Sequence, residues 1–301
     1  MEYGEQEGKG CESRRVRARR ISAQASLQNN GVVRSEWAVS RSHGSRSGGP
    51  LSRRRPVMRL LLLAGTSDAA HVAASLARET RLITTASLAR AARSPVPLGL
   101  PTRIGGWGSE AAFRDWLRKE RVEAVLDATH PFAVRISDRA HRAATDLGIA
   151  YLRFQRPQWM PGPDDRWTFL NHCGEVEEKV PDGARLMIDT DGRGNDRLGH
   201  LSGRVVFCRL RERMPRVSAR PAWHFLYDRG PFTHDTERRL YTSLELDWIV
   251  LPNVGGVEES PKLDAARRLG LRVGLVRRPP QAEAPRAETV SEVMSWVRRR
   301  L

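Results

Sequence analysis

The chain has 301 residues, of which 40% are hydrophobic and 29% charged, and its formal net charge is +16. That length suits one large domain or two smaller ones. No apolar run is long enough to span a bilayer, so a soluble protein is expected. Three cysteines, Cys11, Cys173 and Cys208, with no C-x-x-C or H-x-x-x-H spacing, exclude a disulfide framework and a structural zinc site and point to a reducing cytoplasm.

A basic balance of this size prompts a nucleic-acid hypothesis, but it also fits a polyanionic small substrate. The arginines are scattered rather than gathered in one block, which reads mainly as solvated helix faces. Residues 1–57 are rich in Arg, Ser, Gly and Gln and hold no helical or strand period. They read as a disordered basic extension, with a nucleic-acid arm as the alternative; Met58 stands directly before the first strand.

Arg59–Ala64 is a continuous apolar run after its first residue, as expected of a strand covered on both faces. Gly65-Thr66-Ser67-Asp68 and a helix over Ala69–Arg78 follow, the first βα unit of a nucleotide-binding sheet. The turn is not G-x-G-x-x-G. Arg81–Thr85 is a second strand ending in hydroxyls, with Ser87 and Arg90 just beyond. Rossmann-like folds meet the adenosine ribose at this point, and hydroxyls plus Arg in place of an acid favour a 2′-phosphate.

Thr102–Ile104 is a short strand, and Gly105-Gly106-Trp107-Gly108 a turn that suggests backbone close to a ligand. Ser109 caps a helix over Glu110–Glu120. Val122–Asp127 is a buried strand that ends at polar residues, followed by Thr129, His130 and Pro131. Pro131 suits the first turn of the next helix and Thr129 its cap. That helix, Val134–Leu147, stops at Gly148, and Ile149–Phe154 is the next strand. The order so far is that of a parallel sheet with ligands beyond its carboxyl ends.

A loop at 160–165 marks the domain boundary. Strands are then expected at Arg185–Asp189, Arg204–Arg209, Trp223–Tyr227, Trp248–Leu251 and Val273–Val276. Helices are expected at Thr236–Leu244, capped by Thr233, at Lys262–Leu269, stopped by Gly270, and from Thr289 or Ser291 to Arg300. The fold class is α/β, two Rossmann-like domains with parallel sheets and a cleft between them, divided at 58–160 and 161–301.

Several blocks in this order resemble the precorrin-6A (cobalt-precorrin-6A) reductase family of cobalamin biosynthesis. They are L-L-L-A-G-T-S-D at Leu61–Asp68, T-T-A-S at Thr84–Ser87 with G-G-W-G at Gly105–Gly108, and D-A-T-H-P-F-A at Asp127–Ala133. Further along come R-F-Q-R-P-Q-W at Arg153–Trp159, N-V-G-G with K-L-D-A-A-R-R-L-G ending at Gly270, and R-R-P at Arg277–Pro279. The chain departs from the family pattern at Ala64 and Asp68, which stand for Gly and Glu, at Pro252, where a basic residue is common, and at I-D-T-D-G-R around Ile188–Arg193.

The resemblance implies hydride transfer from NADPH to a double bond of precorrin-6A, without a metal. It implies cofactor contacts at Gly65, Thr66, Ser67, Asp68, Thr85, Ser87, Arg90, Gly106 and Thr129. Asp127 and His130 are the implied catalytic residues, and Arg135, Asn253, Gly255 and Gly256 the implied substrate contacts. His130 is the side chain to consider for the proton that accompanies the hydride. A tetrapyrrole with many carboxylates also gives the basic surplus a use, with no membrane or nucleic-acid partner. Another Rossmann-type reductase, a methyltransferase or a nucleic-acid binder are the rival readings.

Overall fold

In the computed structural model, which describes residues 57–89, 97–189, 201–211 and 223–301, the chain forms two six-stranded sheets in which every pairing is parallel. The first holds β1 (Met58–Leu63), β2 (Leu82–Leu88), β3 (Thr102–Ile104), β4 (Ala124–Asp127), β5 (Ala150–Phe154) and β12 (Arg286–Ala287). The second holds β6 (Arg166–Leu170), β7 (Arg185–Ile188), β8 (Val205–Leu210), β9 (Trp223–Tyr227), β10 (Trp248–Pro252) and β11 (Arg272–Val276). The readings of residues 1–56, of Arg90 and of the segment after Asp189 fall outside the described residues.

The leucine run of β1 shows why this sheet forms. Leu60 and Leu62 pack with α1 (Ser67–Leu76) and α7 (Val290–Arg298) on one face. Leu61 and Leu63 pack with α2 (Glu110–Lys119) and α3 (Val134–Leu147) on the other. Each of these leucines is at most 2% exposed, so each contributes about 1.5–3 kcal/mol of transfer free energy. The second sheet is covered in the same manner. Leu186 and Ile188 face the side of α4 (Val176–Lys179), and Met187, Ile249 and Leu251 face α5 (His234–Ser243) and α6 (Ser260–Leu269).

The strand orders are β12-β5-β4-β1-β2-β3 and β6-β11-β10-β7-β8-β9. Both are the 3-2-1-4-5 Rossmann order with a sixth strand added beside the fifth. The sixth strands are exchanged. β6 follows the first five strands in sequence but pairs with β11, and β12 is the last strand in sequence but pairs with β5. The chain therefore passes between sheets twice, at residues 155–165 and 277–285. The expected division at 161–301 does not hold to its end, because β12 and α7 return to the first sheet. Neither exchanged strand stands out in the sequence: β12 is two residues long, and β6 is a half-exposed edge.

Caps are local and follow the sequence closely. Ser109, Thr233 and Thr289 each accept a first-turn amide, and Gly148 and Gly270 close α3 and α6 in the left-handed conformation. The start of α3 departs from expectation. Pro131 lies in a turn before the helix, and Ala133 is the N-cap without a side-chain bond. Thr129 does not cap because Asp127 engages it first. Among the described residues no helix is long and apolar enough to cross a membrane.

Candidate active site

The β1–α1 turn presents bare backbone. Gly65 has φ +138°, and a Cβ built there would meet nothing within 4 Å. Thr66 is the N-cap of α1; its hydroxyl accepts from the Ala69 amide at 3.0 Å and donates to the Ala128 carbonyl at 3.0 Å. That hydroxyl thus ties the β1 turn to the end of β4 and is spent on the fold. The Ser67 and Asp68 amides, at the first positions of the helix, have no intrahelical partner and lie where the helix dipole favours an anion. The Asp68 carboxylate pairs with Arg156, and the Ser67 hydroxyl donates to Glu258.

At the end of β4, Asp127 is 1% exposed and both its oxygens are occupied. Oδ1 accepts from the Thr129 amide at 3.0 Å and the Thr129 hydroxyl at 2.7 Å, and Oδ2 accepts from the Tyr151 hydroxyl at 2.7 Å. Burial, and then the charge of Asp127, push the Tyr151 phenol up, so it remains a donor. Asp127 does not border the cleft. Its geometry is that of a group that fixes the turn, not one that touches a ligand.

The turn is held from outside as well. Gln281, in the second crossing, donates to the Pro131 carbonyl at 2.6 Å and accepts from Arg153 at 3.0 Å. Phe132 packs against the core of the second sheet. The His130 Nδ1 accepts from the Phe132 amide at 3.3 Å, which leaves the proton of the neutral ring on Nε2.

The N-V-G-G block has a packing role. Asn253 is 1% exposed; its side chain accepts from the Trp159 amide at 2.9 Å and donates to the Trp159 carbonyl at 3.0 Å. A Cβ at Gly255 would stand 2.0 Å from the Pro157 carbonyl oxygen, and one at Gly256 would stand 1.9 Å from the Arg156 guanidinium. The Gly256 carbonyl accepts from the Trp159 indole at 2.8 Å, and Arg278, drawn down to about 10 by burial, donates to the Asn253 carbonyl at 2.9 Å. These residues clasp the two chain crossings together. Asn253 and Gly256, expected as substrate contacts, are engaged in this packing and line neither of the two cavities described next.

Two cavities receive the remaining candidates. The larger, about 640 Å³, lies between the carboxyl ends of the two sheets. Gly65, Thr66, Ser67, Asp68, Thr129, His130 and Gly255 line it. The smaller, about 210 Å³, lies over β1, β2 and β3 and is lined by Ser87, Gly106, Thr129, Arg135 and Arg139 among others. Thr129 belongs to both. Thr85 borders neither. Beside the smaller cavity Arg103 stacks 3.6 Å from the Trp107 ring and donates to the Ser87 hydroxyl at 3.3 Å and the Gly106 carbonyl at 3.0 Å.

The opposite wall of the larger cavity was not foreseen. Lys262 places Nζ 2.6 Å from Asp189 and 3.8 Å from the Phe232 ring centre, and it also pairs with Glu259. Behind it Arg209, 1% exposed, bonds Glu237 at 2.9 Å and approaches Asp189 at 3.5 Å. Burial would raise the Asp189 carboxyl, but Lys262 and Arg209 hold it below the usual carboxylate range. Arg211 and Arg229 reach the same cavity from the ends of β8 and β9. The strand-end rule that pointed to His130 also applies to these positions. Among the described residues no cluster of His, Cys, Asp and Glu is arranged to hold a metal ion.

The family model described as precorrin-6x reductase CbiJ/CobK matches residues 59–298. The precorrin-6A reductase of Rhodococcus erythropolis is 36% identical over 244 residues, covering 79% of this chain and 97% of that protein. That of a Sinorhizobium species is 33% identical over 241 residues, covering 79% and 92%. The cobalt-precorrin-6A reductase of Priestia megaterium is 28% identical over 232 residues, covering 73% and 90%. A solved structure described as CobK precorrin-6A reductase superposes with a TM-score of 0.75 at 33% identity, covering 81% of this chain and 97% of that one.

Proposed function

The chain belongs to the precorrin-6x reductase family, and from that premise we propose that it reduces one double bond of the precorrin-6A macrocycle with NADPH, in the cytoplasm. One observation carries the reading. An open helix-N-terminal turn and the His130 turn share one wall of a 640 Å³ cavity whose other wall holds Lys262, Arg211 and Arg229. A cavity of that size lies within the range that encloses a small molecule.

The residues fit a dinucleotide. The space above Gly65 is clear, and the Ser67 and Asp68 amides would hold the pyrophosphate. The smaller cavity, with Ser87, Gly106 and Arg135, would take the adenosine end. Its described lining contains Arg135 and Arg139 and no acid, which supports a 2′-phosphate and hence NADPH over NADH. When bound, the reduced nicotinamide supplies a hydride.

The protein's part is to bind, orient and protonate. His130 lines the cavity, and its protonated, imidazolium form would supply the proton to the carbon next to the one reduced. Asp127 and Gln281 fix the turn that carries it. The cations of the second wall match the peripheral carboxylates of the tetrapyrrole. The test is direct: incubate the protein with precorrin-6A and NADPH. Loss of nicotinamide absorbance together with a two-hydrogen mass gain is expected, and no change in either contradicts the reading. The same assay with cobalt-precorrin-6A decides which form is the substrate.

A further inference from the structure

Among the described residues that line the larger cavity the charges balance, although the chain carries +16. Its lining holds four cations, Arg156, Arg211, Arg229 and Lys262, and four acids, Asp68, Asp189, Glu258 and Glu259. Both ligands of the proposed reaction are polyanions, and a balanced wall opposes neither charge strongly enough to draw them in.

Two of those acids are neighbours on one short strap between β10 and α6. They reach opposite halves of the molecule. The Glu258 carboxylate accepts from the Ser67 hydroxyl and lies 3.5 Å from Arg156 and 3.9 Å from His71. The Glu259 carboxylate pairs with Lys262 and Arg211. Each therefore rests on groups that an arriving anion would use. Glu258 covers the hydroxyl and guanidinium beside the first-turn amides of α1, and Glu259 covers the ammonium and guanidinium of the second wall.

The strap is clasped to a chain crossing at one end and tied only to its own helix at the other. Asn253 to Gly256 are clasped to the 157–159 crossing. Beyond them Val257 is 81% exposed, Glu259, the N-cap of α6, makes no side-chain capping bond, and the local ties are the Ser260 hydroxyl on the Val257 carbonyl at 3.1 Å and the Lys262 amide on the Glu259 carbonyl at 3.2 Å.

Resting on the function proposed above, we propose that Glu258 and Glu259 are internal competitors for the two ligands. Glu258 holds the position of a cofactor phosphate, Glu259 that of a substrate carboxylate, and the 257–259 strap swings out when those anions arrive. Among the described lining its withdrawal leaves four cations facing two acids.

The test is a titration of NADPH, followed by tryptophan fluorescence, into the wild type, Glu258→Gln and Glu258→Ala. Removing a binding residue weakens affinity, whereas removing a competitor strengthens it. The expected result is NADPH binding about tenfold tighter in a Glu258 variant, the order of one relieved like-charge contact. Equal or weaker binding in both variants overturns the role of Glu258. In the second arm the KM for precorrin-6A is measured for Glu259→Gln and Glu259→Ala. A several-fold fall in either supports the role of Glu259, and an unchanged or raised KM in both overturns it. A wild type that binds no NADPH overturns the proposed function itself, and that result is read before any variant is compared.

Discussion

The two sheets share one strand order and differ in what their carboxyl edges carry. The first edge presents backbone and hydroxyls, with Gly65 bare, Thr66 bridging β1 to β4, and the Ser67 and Asp68 amides at a helix start. The second presents charges set in apolar surroundings, with Lys262 between Asp189 and Glu259 and Arg209 behind them on Glu237. A dinucleotide pyrophosphate suits the first kind of edge. An array of carboxylates suits the second, where Lys262 offers a point charge and Arg211 and Arg229 offer planar guanidinium forks. Topology alone would assign either ligand to either sheet; the chemistry of the edges separates them.

The largest expected effect lies on the second edge. Arg209→Met leaves Glu237 buried without its partner and should cost about 3–5 kcal/mol of stability, read from the denaturant midpoint. A variant as stable as wild type would mean that this cluster is not a buried frame and that the contrast between the edges is weaker than drawn. Next comes His130→Ala, which should lower kcat about 100-fold while the NADPH Kd changes little, because in the proposed role the ring would supply a proton and not hold the cofactor. A larger loss in Kd than in kcat would move His130 from proton donor to cofactor contact.

Thr66→Val removes the cap of α1 and the link to Ala128. It should cost about 1 kcal/mol and weaken NADPH more than precorrin-6A, as seen by paired titrations. The smallest effect is in acid. Asp189 is held below its ordinary value, so its contribution is complete above about pH 4, the unfolded carboxylate range, and is lost as pH falls through the lower folded value. The melting temperature of wild type should therefore show no loss from this site between pH 7 and about pH 4, and should fall below that, whereas Asp189→Asn should lack this acid limb.

What the sequence disclosed was local or periodic. The leucines of β1, the caps at Ser109, Thr233 and Thr289 and the glycine stops at Gly148 and Gly270 all follow from a residue and its near neighbours. Strand ends at Gly65 and His130 were legible for the same reason. What stayed hidden depends on distant partners. Asn253 is occupied by Trp159, 94 residues earlier, and no local pattern distinguishes a clasp from a ligand contact. Thr129 carries the signature of a cap, but Asp127, two residues away, offers a stronger acceptor. β12 is a strand only because β5 is beside it. The acids of the strap look like ordinary solvated glutamates until α1 and Lys262 are placed against them.

The central claim is that one cleft between the sheet edges holds the cofactor on the first sheet and the tetrapyrrole on the second. A crystal structure with NADPH bound tests it most directly. The account predicts the pyrophosphate at the Ser67 and Asp68 amides, the adenosine end toward Ser87 and Arg135, and the nicotinamide in the larger cavity near His130. Density for the pyrophosphate at Lys262 and Arg211, with the β1 turn empty, would contradict it.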